Sequence, residues 1–431
     1  MSSDSLQILC TGDAHLGRRP SRVPVESDEL SARRVWDRFV DTALDRKVDV
    51  AVLTGDIVDS ENQMYEAYGA LEQGVRNLAE GGVEVVSVAG NHDHSAFPRL
   101  ARSIGTDGFH LLGQGGMWEE VEVSGRDGEG SVRFVGWSFP QATQHSSPIG
   151  GLELEETGVP TVGVLHCEAG SSEGQYAPVR RGALARAPAE AWLLGHIHAP
   201  NEHREAGQLQ LYPGSLQPLD PGEPGTHGAW LVEVGPTETT AEQLPLASLR
   251  YEETTIDVSG LESEEDTESH VLQAIREDLA ARSEERPELA HVAYRLTFEG
   301  RTRLRREIEE TASRMKGSLQ PEVDGTTATI EDFELRTRPD YDLEELAQGS
   351  DPPGVLAEVL LKIETGEISD EDAQELLRRA SKATSTVHES SRYEPLRHDS
   401  ETREPPGRED LRSMLYKQGL LLLDELHAGR A

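Results

Sequence analysis

The sequence has few cysteines and no long apolar run. Its only two cysteines, Cys10 and Cys167, both lie in apolar segments that are typical of strands. We therefore expect buried free thiols rather than a disulfide, as in proteins of a reducing cytosol. No apolar run reaches the ~20 residues that a bilayer-spanning helix needs, and Met1 to Ser5 lacks the basic and apolar segments of a secretory signal. These absences predict a cytoplasmic protein that does not enter a membrane.

Lysine is also scarce, in a chain where acidic residues far outnumber basic ones. Asp and Glu number 79 against 41 Lys and Arg, which gives a formal net charge of −38. The lysines are Lys47, Lys316, Lys362, Lys382 and Lys417. An acid-rich and lysine-poor chain indicates a salt-rich, halophilic cytosol, where self-repulsion is screened. The alternative is a disordered acidic protein, but strand and helix patterns occur along the whole chain.

The length exceeds that of one ordinary core, and the pattern of segments changes twice. Residues 1–250 carry apolar strands separated first by helices and then by turns, which predicts a two-sheet α/β sandwich. Residues 251–335 alternate strand and helix on a smaller scale, which predicts a small α+β domain. Residues 336–431 predict a helical C-terminal region. In it, residues 383–408 resemble a flexible linker before an amphipathic helix at Glu409–His427.

Polar side chains follow five of the predicted strands in the first 250 residues. In chain order these side chains belong to Asp13, His15, Asp56, Asn91, His92, His166, His196 and His198. Parallel strands bring their carboxyl ends to one edge of a sheet, which is where open α/β sheets bind ligands. We therefore expect these residues to meet in one site. Each element alone is more often a solvated loop, a helix cap or a core histidine, but five in order are not expected by chance.

Together these side chains form a ligand set for metal ions. Histidine nitrogens combined with carboxylate and amide oxygens suit Mn, Fe or Zn better than Ca or Mg. The set is large enough for two ions, and two-metal hydrolysis needs ions ~3.5–4 Å apart and therefore a shared ligand. Asp56, on the middle strand, is the expected bridge because a carboxylate offers two oxygens.

The motifs that carry these residues resemble those of the calcineurin-like metallophosphoesterase superfamily. They are Gly12-Asp13-Ala14-His15, Gly55-Asp56-Ile57-Val58-Asp59, Gly90-Asn91-His92-Asp93, His166 and Gly195-His196-Ile197-His198. Within the superfamily, Leu16-Gly17 and Tyr212-Pro213-Gly214-Ser215 resemble the DNA repair exonucleases of the SbcD and YhaO type.

This resemblance implies a role for each residue of the site. One ion would be held by Asp13, His15, Asp56 and His198, and the other by Asp56, Asn91, His166 and His196. Both ions would activate a hydroxide that attacks phosphorus. His92, paired with Asp59 as a catalytic dyad, would stabilise the developing charge or protonate the leaving sugar oxygen.

The resemblance also implies a substrate and partners. The expected activity is that of a DNA exonuclease for end processing in double-strand break repair, with residues 251–335 as its capping domain. The related nucleases usually form homodimers and dock a C-terminal helical segment on an SMC-like ATPase. The leucine-rich stretch Ser413–Leu426 is equally compatible with that docking and with packing on its own domain.

Two further functions stay open. The strongly negative chain would repel DNA at ordinary ionic strength, which favours a phosphodiesterase or phosphatase acting on a nucleotide or another small phosphoester. A scaffold subunit with a vestigial site is the third hypothesis. It is disfavoured because every expected ligand position is filled.

Overall fold

The computed structural model describes nine stretches of the chain in two compact units. These stretches are residues 5–23, 28–59, 64–155, 157–236, 238–283, 288–317, 319–365, 371–388 and 407–428. One unit comprises Met1–Ile256, Glu268–Thr297 and Glu310–Glu334, and the other comprises Asp257–Thr267, Phe298–Glu309 and Leu335–Ala431. The division of the chain into three domains stays a prediction. Within the described stretches, no helix has the length and apolarity to cross a bilayer.

The first part of the chain alternates strands and helices as predicted. Strands β1 to β4 are Leu6–Thr11, Val50–Leu53, Glu84–Ser87 and Phe109–Leu111, and helices α1 to α3 are Ala32–Arg46, Met64–Glu80 and Phe97–Ile104. A short 3-10 turn, Asp28–Leu30, precedes α1. Helix α1 begins after Ser31, whose side chain accepts a hydrogen bond from the Arg34 N–H, and it ends at Lys47 in the left-handed conformation.

The next part of the chain consists mostly of strands. Strands β5 to β14 are Glu119–Ser124, Ser131–Trp137, Thr161–His166, Glu168–Ala169, Pro178–Val179, Ala191–Gly195, Asn201–Glu205, Gln208–Tyr212, Gly228–Val234 and Thr239–Pro245. A 3-10 turn at Pro148–Gly151 and the one-turn helix α4 at Arg181–Leu184 lie among them.

These strands form two six-stranded sheets, which confirms the predicted α/β sandwich. The first sheet has the order β14-β13-β1-β2-β3-β4, and the second has the order β11-β12-β10-β7-β6-β5. In the first sheet β1, β2, β3 and β4 are parallel to one another. In the second, β6, β7, β10 and β12 are parallel. Each sheet therefore gathers the carboxyl ends of its central strands at one edge.

Alternate residues of β1 enter different cores, as the two-residue period of a strand requires. Ile8 and Cys10 pack between the two sheets, against residues such as Phe134 and Leu193. Leu9 packs on the opposite face, in the cluster that contains Trp36 of α1. Both cysteines are free and buried, as predicted, and burial raises the pKa of the Cys167 thiol to about 12.

Residues 249–339 form a separate four-stranded sheet with two helices. Its strands β15 to β18 are Leu249–Asp257, His291–Thr302, Leu319–Val323 and Thr326–Pro339, in the order β15-β16-β18-β17, and helices α5 and α6 are Glu264–Ser283 and Arg305–Met315. Strand β17 was not predicted from the sequence. Its signal was present: Asp324-Gly325 adopts positive φ values of 51° and 85°, as in the tight turns that Asp-Gly pairs favour in hairpins.

The C-terminal region is helical. Helices α7 to α10 are Leu343–Leu346, Pro352–Thr365, Glu371–His388 and Arg408–Ala428. The predicted linker 383–408 is wrong at both ends: residues 383–388 continue α9 and residue 408 begins α10, while residues 389–406 lie outside the described part of the chain. The error arose because Ser, Thr and His have modest helix propensities that a helix nevertheless tolerates in its last turns.

The final helix buries one face and exposes another. Leu420 and Leu423 pack against Ala357 and Leu360 of α8. Met414 and Leu422 are 48% and 47% exposed. The leucine-rich stretch therefore does pack within its own unit, and part of its apolar surface stays accessible in this chain.

His291 offers a test of the four-stranded sheet. The buried ring contacts Thr327 and Thr329, with nitrogen–oxygen distances of 2.8 and 2.9 Å, and burial lowers its pKa to about 4 from 6.5. Between these two pKa values, His291 is protonated in the unfolded chain but not in the folded chain. The free energy of unfolding therefore decreases as the pH falls from 6.5 towards 4. In wild type this group should remove about 2 kcal/mol of unfolding free energy between pH 7 and pH 5. Denaturant unfolding at constant KCl should show a shallower pH dependence for His291→Gln; identical slopes would contradict the assignment.

Candidate metal centre

The predicted site residues come together where the two sheets end. Asp13 and His15 follow β1, Asp56 follows β2 and Asn91 follows β3, all at the carboxyl edge of the first sheet. From the second sheet, His166 is the last residue of β7. His196 and His198 follow β10.

Four of these residues adopt a backbone conformation that L-amino acids rarely use. The φ angles are 45° at Asp13, 42° at His15, 52° at Asp56 and 95° at His196. Non-glycine residues in this region are strained, and such strain concentrates at functional sites. The loops after three different strands thus share a left-handed backbone conformation, which turns their side chains towards the same site.

One group of possible metal ligands consists of Asp13, His15 and His198. Their ligand atoms all lie within 4.8 Å of one another. The Nε2 atoms of His15 and His198 are 3.3 Å apart, and His198 Nε2 lies 3.8 Å from Asp13 Oδ1. Two imidazole nitrogens at this distance cannot both direct lone pairs at each other, so a proton or a cation must lie between them.

A second group consists of Asp13, Asp56 and His166, with atoms again within 4.8 Å. His166 Nε2 lies 3.3 Å from Asp56 Oδ2 and 3.0 Å from Asn91 Oδ1. The residue common to both groups is Asp13. Sharing of two ions by Asp56 stays a prediction, and the predicted ligand His196 belongs to neither group, although its ring meets that of His166 at a centroid distance of 5.4 Å.

Hydrogen bonds fix which nitrogen of two histidines faces the site. His166 Nδ1 lies 3.0 Å from the Thr54 carbonyl oxygen, to which it can only donate. His198 Nδ1 lies 2.8 Å from Glu223 Oε1. In both rings this leaves Nε2 as the available ligand atom, which is the usual arrangement behind a metal-binding histidine. Glu223 was not predicted from the sequence, and no local motif marks it.

The electrostatics suit a cation. Burial lowers the pKa of His15 to about 4 and that of His196 to about 3, so both rings are neutral at pH 7, the form that binds metals. Burial alone would raise the pKa of Asp56, but the neighbouring His166 holds it below its usual range. The same pairing raises the pKa of His166 to about 9 against the effect of burial. The carboxylates and the neutral rings of His15 and His196 therefore fit a divalent metal ion, whose charge would replace that of the proton on His166.

Asp93 connects the loops after β2 and β3 by hydrogen bonds and belongs to neither group of possible metal ligands. Its Oδ1 accepts a 2.7 Å hydrogen bond from the Gly90 N–H, and its Oδ2 accepts one of 2.7 Å from the Ile57 N–H. Burial raises its pKa to about 7, with a further contribution from the charge of Asp56. Although Asp93 was part of the Gly90–Asp93 motif, its role depends on a contact with a loop 36 residues away.

His92 and Asp59 both lie beside His15. The His92 side chain is exposed, its ring packs edge-on against that of His15 at 5.2 Å, and its backbone N–H donates to Asp56 Oδ1. Asp59 Oδ2 lies 3.4 Å from Arg18 Nε and 4.0 Å from His15 Nδ1. The pairing of His92 with Asp59 stays a prediction, and Arg18 is a further neighbour of Asp59.

Two family descriptions match the chain. Residues 6–200 match the Calcineurin-like phosphoesterase family, and residues 251–338 match Metallophosphoesterase YhaO, middle domain. The chain belongs to the calcineurin-like metallophosphoesterases of the SbcD and YhaO type. This family uses a binuclear metal centre, and the two ligand groups described above are the candidate metal-binding residues of the chain.

Curated relatives of this metallophosphoesterase are distant. It is 26% identical to the uncharacterized metallophosphoesterase YhaO of Bacillus subtilis over 51% of this chain and 54% of that protein. It is 26% identical to the DNA double-strand break repair protein Mre11 of Aeropyrum pernix over 52% and 56%. With the Mre11 of Methanopyrus kandleri it shares 24% identity over 71% and 72%. The matches thus span about half the length of the first two relatives.

Gly90 tests how tightly the site is built. Its φ is not unusual; instead, a Cβ there would overlap Asp56 Oδ1 and lie 2.8 Å from the Asp56 backbone nitrogen. The glycine thus serves the close approach of two loops rather than a sharp turn of its own. Gly90→Ala should displace Asp56, lower the bound metal per chain after dialysis against Mn²⁺, and cost about 1–3 kcal/mol of stability.

The matched control is Gly150→Ala, because a Cβ at Gly150 meets no atom within 4 Å. Metal analysis by mass spectrometry should give wild-type values for this control. Wild-type metal content in Gly90→Ala would show that the loop yields without moving Asp56.

Proposed function

We propose that this metallophosphoesterase is a DNA exonuclease of the end-processing type. The observation that carries the proposal is the combination of a two-group ligand site with a YhaO-type middle domain at residues 251–338. Relatives named as nucleases or double-strand break repair proteins support it. The Methanopyrus Mre11 aligns over 71% of this chain, and the SbcD component of the SbcCD nuclease of Escherichia coli is 31% identical over 99 residues.

In the proposal, the ligands divide between two divalent ions, most suitably Mn²⁺. Asp13, His15, Asp56 and His198 would hold one ion, and Asp56, Asn91, His166 and His196 the other. When bound, such ions lower the pKa of a water molecule and neutralise phosphate oxygens. Ionised carboxylates and the neutral rings of His15 and His196 already have the protonation states that binding requires, whereas His166 must release the proton that Asp56 stabilises.

His92 is proposed as the general acid. Its exposed ring packs beside that of His15, and we propose that the leaving sugar oxygen lies next to it. An alkoxide leaves poorly without a proton, so a positioned imidazole should contribute about 10²–10⁴-fold to the rate. In this role Asp59 would orient the ring and stabilise its cationic form.

Arg18 adds a positive charge beside Asp59. The Arg18 side chain is 41% exposed, and its Nε lies 3.4 Å from Oδ2 of the buried Asp59. An anchored arginine can present its remaining N–H groups to a phosphate oxygen. We propose that Arg18 binds the phosphate backbone of the substrate.

The runner-up is a phosphodiesterase or phosphatase for a nucleotide or another small phosphoester. The net charge of −38 favours it, because a polyanion is repelled more strongly than a small anion. Under the DNA proposal, the acidic composition is an adaptation to high salt that screens this repulsion. A scaffold subunit would not require the two groups of possible metal ligands.

The proposed partners follow from the resemblance to nucleases of the SbcD and YhaO type. We propose a cytoplasmic homodimer that works with an SMC-like ATPase. Met414 and Leu422, the exposed apolar residues of α10, are compatible with docking on that ATPase.

The test is hydrolysis of end-labelled linear DNA with Mn²⁺ in a KCl series up to molar concentrations. Wild type should degrade the DNA, and His92→Ala should lower kcat about 10²–10⁴-fold because the leaving group loses its acid. Bound Mn²⁺ should stay near the wild-type value in the variant. Intact DNA at every salt, together with cleavage of a chromogenic phosphodiester, would instead favour the small-substrate enzyme.

Arg18→Gln should raise KM for DNA by about tenfold, the equivalent of ~1.4 kcal/mol, with little change in kcat. The reason is that the variant loses a phosphate contact made equally in the ground state and the transition state. Arg19→Gln is the matched control, since Arg19 is the adjacent, exposed arginine. Equal KM values for both variants would remove Arg18 from the substrate site.

A further inference from the structure

Glu223 is held in place behind His198. Its Oε1 lies 2.8 Å from His198 Nδ1, and its Oε2 accepts hydrogen bonds from Ser215 Oγ at 2.7 Å and from the Leu219 N–H at 3.2 Å. The residue is buried, with 9% exposure. Behind it, His227 Nδ1 lies 2.9 Å from Ser215 Oγ. The carboxylate therefore has a fixed orientation before any metal binds.

Glu168 is the acidic neighbour of His196. Its Oε1 lies 3.6 Å from His196 Nε2, an ion-pair distance rather than a hydrogen bond, and in the proposal the other ring nitrogen, Nδ1, binds the ion. The ring of Tyr176 packs on His196 with a centroid distance of 4.8 Å. A Cβ at Gly174 would overlap the Glu168 carboxylate, so the loop leaves room for this side chain.

We infer that Glu223 and Glu168 are positioning residues that each tune a different metal ion, Glu223 through His198 and Glu168 through His196. The inference rests on the proposed function, in which these two histidines bind different ions. A carboxylate that accepts from one imidazole nitrogen fixes the ring and makes the opposite nitrogen a better donor to a metal.

We expect Glu223 to affect metal affinity more strongly than Glu168 does. Glu223 makes a short contact and is itself fixed by two further donors, whereas Glu168 approaches at 3.6 Å and its side chain is 25% exposed. Loss of a partner behind a metal ligand typically costs 10–100-fold in metal affinity. We expect Glu223→Ala to fall in that range and Glu168→Ala to cost less than about tenfold, as for a weaker contact.

The experiment is calorimetric titration of the metal-free full chain with Mn²⁺, with electron paramagnetic resonance of free Mn²⁺ as a second count. The variants are Glu223→Ala, Glu168→Ala and the conservative Glu223→Gln, which keeps an acceptor oxygen without the charge. Glu122→Ala, an exposed acidic position on β5, is the control for a change in net charge. Each single alanine variant should weaken one of two ions, and Glu223→Gln should be intermediate.

A double-mutant cycle separates positioning from a general structural effect. In a His198→Ala background, Glu223→Ala should have no further effect on Mn²⁺ affinity, because its influence passes through that ring. The same holds for Glu168→Ala in a His196→Ala background. Full additivity in both cycles, or wild-type affinity in Glu223→Ala, would overturn the inference. The thermal midpoint of each metal-free variant identifies any that fail to fold, and Glu223→Gln then carries the test.

The outcomes also distinguish this inference from the proposed function. A wild-type chain that binds fewer than two Mn²⁺ would contradict the binuclear assignment itself. Two ions bound with unchanged affinity in the variants would contradict only the role of the glutamates. If the chain does not cleave DNA, the metal titration still tests both the binuclear assignment and the role of the glutamates.

Discussion

The structure depends on keeping several carboxylates together out of water. Asp13, Asp56 and Asp93 are at most 1% exposed, and burying an ionised carboxylate is unfavourable unless charges and hydrogen bonds compensate. The His196 N–H donates to Asp13, the His92 N–H to Asp56, and two backbone N–H groups to Asp93. All of these donors except the Gly90 N–H lie in a different loop from the carboxylate that they contact, so they are available only where loops from different strands converge.

That requirement accounts for the strained loops. A loop that runs straight on from its strand would carry its carboxylate away from the pocket, whereas a left-handed residue turns it inward. Each such residue costs on the order of 1–3 kcal/mol, so other parts of the fold must outweigh it. The apolar cluster between the sheets and the second cluster beneath α1 and α2 supply the burial that does so.

Much of the site was predictable because its residues lie beside their strands. The ends of apolar strands can be read from sequence, and parallel pairing brings Asp13, Asp56 and Asn91 to one edge. Glu223 and Glu168 were not predictable, since their partners are set by tertiary contacts rather than by a local pattern. The left-handed φ angles at Asp13 and His15 also escape sequence analysis, because non-glycine residues rarely adopt that region, even though aspartate and histidine are enriched there.

The ligand groups draw on both sheets at once. In the first group Asp13 and His15 come from one sheet and His198 from the other, so an ion there would tie the two layers at their rim. Because an unfolded chain offers no such cluster, occupancy would add its binding free energy to that of folding, about 2.7 kcal/mol when free metal is 100 times the dissociation constant. The stability of the folded chain would then depend on the supply of metal.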